Sequence, residues 1–423
     1  MGRDESVRGT RRGAAIAAIV WIALSVPAGV NAQSAGSLTL SNATALADAQ
    51  APDRLVAAAR VAVAHAEVGV AGMLTNPTVV LGGSLNTAHF YTSIAVPLPL
   101  FGQREAARTV AIALESAARH DLDVTRLDVR FAAAVAWIDL WLSEQEAVLT
   151  AETAERAERL ASVTAERFDS GAAPRLDVLR ARAEALRLRA EADSAALAQV
   201  SAAARLALWV GRDASLPLRT SGDPATPAHM PSLETLLAHL DHHALMLAAR
   251  TRTSAAEASV ALERRRRWPV VGFEVGTSFF DPSLVNSPTQ PVPAFADAHL
   301  AVSFEVPMFN LHGPLIARAQ AGVGQTSMEA LSVRRRLIAD VTAALAELRA
   351  AEARARVQRS AVLPAAQEAA DLALEAYRAG RVDITGVIAA QQAFAEARRA
   401  AYRADADLAR ADAMLIHAAG GTW

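Results

Sequence analysis

Apolar positions along this chain switch between two periods, and the switches mark its elements. From Leu40 to Gly72 they fall at helical spacing, with Leu46, Leu55, Val56, Val63 and Val70 among them, a break near Pro52 and a stop at Asn76-Pro77. The next residues alternate: Val79, Leu81, Gly83 and Leu85 against Val80, Gly82, Ser84 and Asn86, then Thr92, Ile94, Val96 and Leu98 against Ser93, Ala95 and Pro97. Period two with one apolar face predicts a β-hairpin over about 78–98. Pro97 and Pro99 end it, and Phe101-Gly102 turns the chain. From Gln103 to Ser170 there is no Gly or Pro, so a single helix is expected, roughly 100 Å long at the usual rise. A rod of that length has to lie in a bundle. It stops at Gly171 with Pro174 close behind, and a second breaker-free run covers Arg175 to Val210. Its stripe of Leu176, Leu179, Ala183, Leu186 and Ala190 suits packing back along the first rod.

After a Pro- and Gly-containing connector over 212–231 the same order returns. A helix is expected from Ser232 to about Arg267, with Asp241-His242-His243 inside it, stopped by Trp268-Pro269. A second hairpin follows over about 270–306: Val271, Phe273, Val275, Thr277 and Phe279 on one face, Gly272, Glu274, Gly276 and Ser278 on the other, then Leu300, Val302, Phe304 and Val306 against His299, Ala301, Ser303 and Glu305. Pro307-Met308-Phe309-Asn310 repeats Pro99-Leu100-Phe101-Gly102. Helix resumes near Leu315, with a kink expected at Pro364, and reaches Gly380. Gly171 and Gly380 are offset by 209, as are Gly211 and Gly420, and Val178-Leu179 and Val387-Ile388. The chain therefore reads as two structural repeats, 33–211 and 232–423, each a helix, a hairpin and a long helical hairpin with its tip near 171 or 380.

Two hairpins make a four-stranded ribbon with bare edges. Each is flanked directly by rods, so no globular core covers its apolar face. Closure with other copies into a membrane barrel removes both difficulties, with apolar residues outward and polar or small ones inward. The inward set would include Ser84, Asn86, Glu274, His299, Ser303 and Glu305. Twelve strands close the barrel if three chains contribute four each; periodicity alone does not supply the number three.

Composition narrows the remaining choices. The chain has 423 residues, 52% hydrophobic but only 5% aromatic, with a formal net charge of -2. That balance gives no reason to expect nucleic acid as a partner. The absence of Cys removes disulfides, thiolate metal sites, thiol nucleophiles and a lipidated N-terminal cysteine. Residues 1–32 read as a signal peptide: Arg3, Arg8, Arg11 and Arg12 precede the apolar run Ala14 to Val26, and Val30-Asn31-Ala32 supplies the small residues for cleavage before Gln33. No phosphate loop, zinc-protease helix or nucleophile elbow is present, so neither an enzyme nor a cofactor is expected. His239 and His243 stand four apart and, on one helix, could hold Zn²⁺ with a third ligand; surface histidines are the plainer alternative. Arg264 to Arg267, just before a strand, reads either as a basic girdle at a membrane edge or as a solvated helix end favoured by the dipole. Trp137 and Trp141 are expected to pack, and Trp268 to mark a membrane interface.

The duplication, the Asn76-Pro77 stop, the exit Val96-Pro97-Leu98-Pro99-Leu100-Phe101-Gly102-Gln103-Arg104, its counterpart Val306 to Asn310, and the two Gly-x-x-x-x-x-x-Val-Leu/Ile turns together resemble the TolC-like outer membrane efflux family. The Pro-Leu-Phe-Gly-Gln-Arg exit is most similar to its CzcC-like branch of cobalt, zinc and cadmium resistance channels. The resemblance covers essentially the whole mature chain. It implies a mostly α protein with β hairpins: a homotrimer whose long helical hairpins form a periplasmic tunnel and whose strands share a 12-stranded outer membrane β-barrel in a Gram-negative cell. It implies a periplasmic adaptor (a membrane fusion protein) and an inner membrane RND-type pump as partners, outer membrane lipid around the barrel, and divalent heavy-metal cations as cargo. A duct for drugs, organic solvents or a type I secreted polypeptide is the alternative within transport; a soluble periplasmic coiled-coil scaffold or adaptor is the alternative outside it. The turns at Gly171 and Gly380 would be the tips that meet the adaptor. Family channels often narrow through acidic residues just past the second glycine, where this chain has Gly386 and Ala389. Asp383 lies close enough to substitute, or else caps the next helix, and Asp177 occupies a commonly acidic position in the first repeat.

Overall fold

The computed structural model describes residues 37–84, 89–224, 230–280, 295–304 and 311–421. The leader read over 1–32, the lumen candidates Asn86 and Glu305, and the Pro307-to-Asn310 turn lie outside the described residues. The chain opens with β1 (Ser37–Leu38) and α1 (Leu40–Gln50), whose first turn is capped by the Thr39 hydroxyl accepting from the Asn42 amide. Pro52 then starts α2 (Pro52–Ala71), at the position where its missing N–H costs nothing. Strands β2 (Thr78–Ser84) and β3 (His89–Leu98) lead into α3 (Gln103–Asp169), a 67-residue helix, and α4 (Arg175–Val210).

The segment between the halves is more ordered than its prolines suggest. Its β4 (Arg219–Thr220) pairs in parallel with β1, and the Leu38 carbonyl accepts from the indole N–H of Trp137 at 2.7 Å. Two-residue strands carry no readable period, which is why the connector reads as loose.

The helix expected over Ser232 to Arg267 is broken. α5 (Leu233–His239) passes through a 3₁₀ turn, Leu240–His242, and α6 (Ala244–Arg265) begins afresh. His243 has extended backbone (ψ 133) and caps α6, its Nδ1 accepting from the Leu245 amide at 3.1 Å. The second pair of strands, β5 (Val271–Phe280) and β6 (Phe295–Phe304), is followed by α7 (Gly313–Val357), a π turn over Gln358–Val362, α8 (Leu363–Arg378) and α9 (Ile384–Ala419). The irregularity expected at Pro364 is that π turn. A proline ring crowds the carbonyl four residues back and offers it no N–H, and widening the preceding turn relieves both.

Strands and helices share one lateral order. The sheet runs β2-β3-β5-β6, antiparallel throughout. Beneath it α2 packs on α3, α3 on α6 and α6 on α7. Among the described residues β2 and β6 are the edges of the sheet, and α2 and α7 are those of the helical layer.

Among the described residues three apolar clusters hold the rods together. One joins Trp137, Leu140 and Trp141 of α3 to Leu206 and Val210 of α4, with Leu38 inserted. A second packs α5 and α6 onto Leu337, Val341 and Leu348 of α7 and Leu415 of α9. The third lies at the helix tips. The α4 stripe expected to face α3 does not: Leu176, Leu179 and Leu186 are exposed, the last by 65%. The α4 residues buried near the tip are Ala181, Ala185 and Leu188. Small side chains let the rods approach closely, which leaves the leucines on the outer face.

Candidate functional site

Register decides which strand residues share a face. Opposite partners include Ile94 with Val275, Val275 with Leu300, and Phe273 with both Val96 and Val302. Val79 lies opposite Ile94 and Leu81 opposite Thr92, so one continuous apolar face crosses all four strands. It is open: Leu81 is 77% exposed, Leu300 72% and Val275 60%.

The other face pairs Glu274 with Ala95 and Ala301, Gly276 with Ser93 and His299, and Gly272 with Ser303. Glycines there make room for neighbours. A Cβ on Gly276 would lie 2.4 Å from the His299 ring and one on Gly272 2.3 Å from the Ser303 hydroxyl, while the Tyr91 ring occupies the same place over Gly82. Glu274 is half-buried between its alanines and His299 is exposed. Asp297 joins this face, two residues before His299, accepting from the Ser278 hydroxyl; the Thr277 hydroxyl donates to its backbone carbonyl at 2.8 Å. Asp297 and Tyr91 were missed from sequence, although extending the alternation by one step in each strand finds both.

At the opposite end of the rods two turns lie together. Gly171 (φ 76) and Gly380 (φ 72) adopt the left-handed conformation that ends α3 and α8. Behind them Tyr377, Ile384, Val387 and Ala181 are buried together. The Tyr377 hydroxyl lies 3.5 Å from that of Thr164, and the Arg167 guanidinium sits 4.7 Å over the Tyr377 ring while donating to its carbonyl. A cavity of about 300 Å³ opens beside this cluster, lined by Leu160, Val163, Leu188, Leu374 and Ile388. Asp383 caps α9, its Oδ1 accepting from the Gly386 amide at 3.0 Å. Asp177 lies in the first turn of α4. The two tips are further joined where Arg180 donates to the Thr385 hydroxyl.

Farther along, acids of the first half meet bases of the second. On α3, Asp128 pairs with His417, Asp139 with Arg410, Glu146 with Arg403 and Glu152 with Arg398, all within 2.8 Å; on α4, Glu191 pairs with Arg399. Each exposed pair is worth little, but their succession fixes the register of α9 against α3. Hydrogen bonds from Arg187 lower the Glu184 pKa, and Glu184 also accepts from Gln392 of α9.

The histidine pair does not form the one-face arrangement its spacing suggests. His239 ends α5, exposed, its Nδ1 bonded to the Thr235 carbonyl at 2.8 Å. His243 lies beyond the helix break, buried, with Nδ1 committed to the cap. The break rotates the two rings off a common face, and no group of three potential metal ligands exists among the described residues. No described helix is long and apolar enough to cross a membrane.

A family model described as outer membrane efflux protein matches residues 44–212 and 238–421. The cobalt-zinc-cadmium resistance protein CzcC of Cupriavidus metallidurans is 24% identical over 370 residues, 86% of each chain. Among solved structures, the CmeC outer membrane channel of Campylobacter jejuni superposes with a TM-score of 0.75 at 13% identity, over 90% of this chain and 85% of that one. CusC, whose structures describe transmembrane channel formation, superposes with a TM-score of 0.74 at 17% identity, over 90% and 92%.

Proposed function

Because the chain belongs to the outer membrane efflux protein family, we propose that it is a passive exit duct for divalent heavy-metal cations, built from three copies and driven by an inner membrane pump reached through a periplasmic adaptor. The observation that carries this reading is the sheet. One of its faces is apolar across four strands and exposed, the other is polar and crowded enough to need glycine, and both edges are unpaired among the described residues. In water such a sheet is a liability. In a membrane, as a third of a closed barrel, its apolar face meets lipid and its polar face lines a wet pore.

The lateral order supports head-to-tail closure. When β2 of one copy pairs with β6 of the next, their attached helices α2 and α7 come side by side, so one contact closes barrel and tunnel together. Exposed leucines on α4 support further contact between copies. Tips at Gly171 and Gly380 form the entrance and meet the adaptor, residues 1–32 are removed on export, and Glu274 and His299 line the lumen. The likeness to CzcC supports metal cations as cargo.

The test is conductance of the detergent-purified mature protein in a planar bilayer, with oligomer mass recorded on the same sample. Discrete cation-conducting channels from a trimer are expected. Channels indifferent to cations would move the cargo toward organic solutes, and a monomer soluble without detergent would overturn the duct in favour of a periplasmic scaffold.

A further inference from the structure

Where the helical layer meets the sheet, arginines gather. Arg264 to Arg267 end α6 and its cap, and Arg104 and Arg108 stand in the first turns of α3. All six are exposed. Arg265 packs beside Gly102, and Arg108 lies against Gly72 at the end of α2, which places the three helix ends at one level. Between α2 and α3 an open cleft of about 470 Å³ is lined by Arg104, Arg108 and His65, with Gly69 and Gly72 among its walls. The acids nearby are Glu67, Glu105, Glu115, which is bonded to the cleft's His65 at 3.1 Å and to Arg119, and Glu263, buried and paired with Arg266 at 2.8 Å. Arg104, Arg108, Arg264, Arg265 and Arg267 have no ion-pair partner among the described residues. The level therefore carries a cationic excess in a chain whose overall charge is nearly balanced.

The first half of the chain shows that the architecture does not require these charges. The positions before Asn76-Pro77 that match Arg264 to Arg267 before Trp268-Pro269 are Gly72-Met73-Leu74-Thr75. α2 ends there without a basic residue, so the arginines are not needed to terminate a helix beneath a strand. At this same level Trp268, 54% exposed, stacks on Phe101 with ring centroids 5.5 Å apart, as aromatic residues do at a membrane–water boundary. The apolar sheet face begins directly above, at Val271 and Leu98.

From this juxtaposition we infer that the arginine collar binds the phosphates of anionic phospholipid headgroups in the periplasmic leaflet, with the α2–α3 cleft seating one headgroup beside Arg104 and Arg108. Guanidinium groups take phosphate oxygens in pairs, and cations beside an anionic leaflet gain attraction within a Debye length. The inference rests on the reading that the sheet spans the membrane.

Native mass spectrometry of the trimer from mixed phosphatidylglycerol and phosphatidylcholine micelles counts the lipids retained, and planar-bilayer conductance of the same preparations reports folding. Wild type should retain phosphatidylglycerol preferentially. R264Q/R265Q/R267Q and, separately, R104Q/R108Q should lose that preference, about fivefold per arginine removed, while still conducting; R182Q on α4 should retain it. If the α6 variant does not assemble, the α3 variant carries the measurement. Equal retention by wild type and a conducting collar variant would overturn the collar and leave the duct intact. Displacement of the lipid by millimolar inorganic phosphate would overturn it in favour of a free-anion site. Absence of channels from wild type in every lipid would overturn the membrane reading and the collar with it.

Discussion

His243 holds two positions that conflict in acid. Its Nδ1 must stay unprotonated to accept the Leu245 amide, and burial lowers its pKa from 6.5, with Asp128 and His417 as the charged neighbours. An unfolded chain therefore binds the proton first. Stability is full above about 6.5 and falls as the pH drops toward the lower folded value. Asp405, half-buried and paired with Arg359, and Asp412, both raised above 3.8 by burial, act in the opposite sense, gaining stability as they protonate. Asp48 acts later: bonds from Arg126 and Arg130 hold it at about 2, so its contribution is lost only as the pH falls from 3.8 toward 2. His243→Asn keeps a capping side chain and removes the titration. Its melting temperature in detergent should change less between pH 7 and about 5 than that of wild type; equal slopes would sink the assignment. Sequence could not show this role, since Asp241-His242-His243 is compatible with continuous helix and only the packing of α5 against α7 decides that the chain breaks there.

At the scale of elements, the unpartnered seam of α2 makes a sharp prediction. Val56, Ala59, Val63, Ala66 and Val70 alternate at three- and four-residue steps and are all exposed, the pattern of a helix awaiting a partner. On α7 the large exposed apolar positions are Met328, Leu331 and Ile338, with Val357 at its far end. Val56 and Met328 each lie roughly 22 Å below the ends of their helices nearest the sheet. With no native cysteine, V56C/M328C should crosslink on oxidation into a covalent trimer ladder in denaturing gels, and each single variant should not; crosslinking confined within one chain would exclude head-to-tail closure. The strands were legible in sequence because alternation survives in both hairpins, and the faces it assigns to Val271–Phe279 and to Leu300–Phe304 share one side of the sheet. The α4 stripe was misread for a physical reason. Its two faces are both apolar, and the alanine face admits the closer approach to α3, so hydrophobicity alone selects the wrong one.

For the whole molecule, selectivity should be set at the two ends of the duct and separable between them. Asp383→Ser preserves a helix cap while removing charge, and Glu274→Gln removes the charge half-buried in the sheet. If both groups face the pore, each variant lowers the cation-to-anion permeability ratio from reversal potentials while leaving single-channel size nearly unchanged. An unaltered ratio in Asp383→Ser would reduce that residue to its capping bond. What made the molecule readable at this scale was duplication: one half supplied the pattern by which the other was parsed, whereas the order in which copies meet became visible only once β2 and β6 were placed at the edges.

The pairing of Ser37 and Leu38 with Arg219 and Thr220 also orders events in time. A chain threaded across the inner membrane from its N-terminus delivers β1 first and its partner only after α3 and α4 have followed. Once α3 has emerged, Leu38 and the Trp137 indole it bonds are both present, but the strand that pairs with β1 is not, and the first residues to arrive must wait for the seam between the halves. The clasp is thus a completion mark: β1 is secured only when the connector that leads to the second half has emerged.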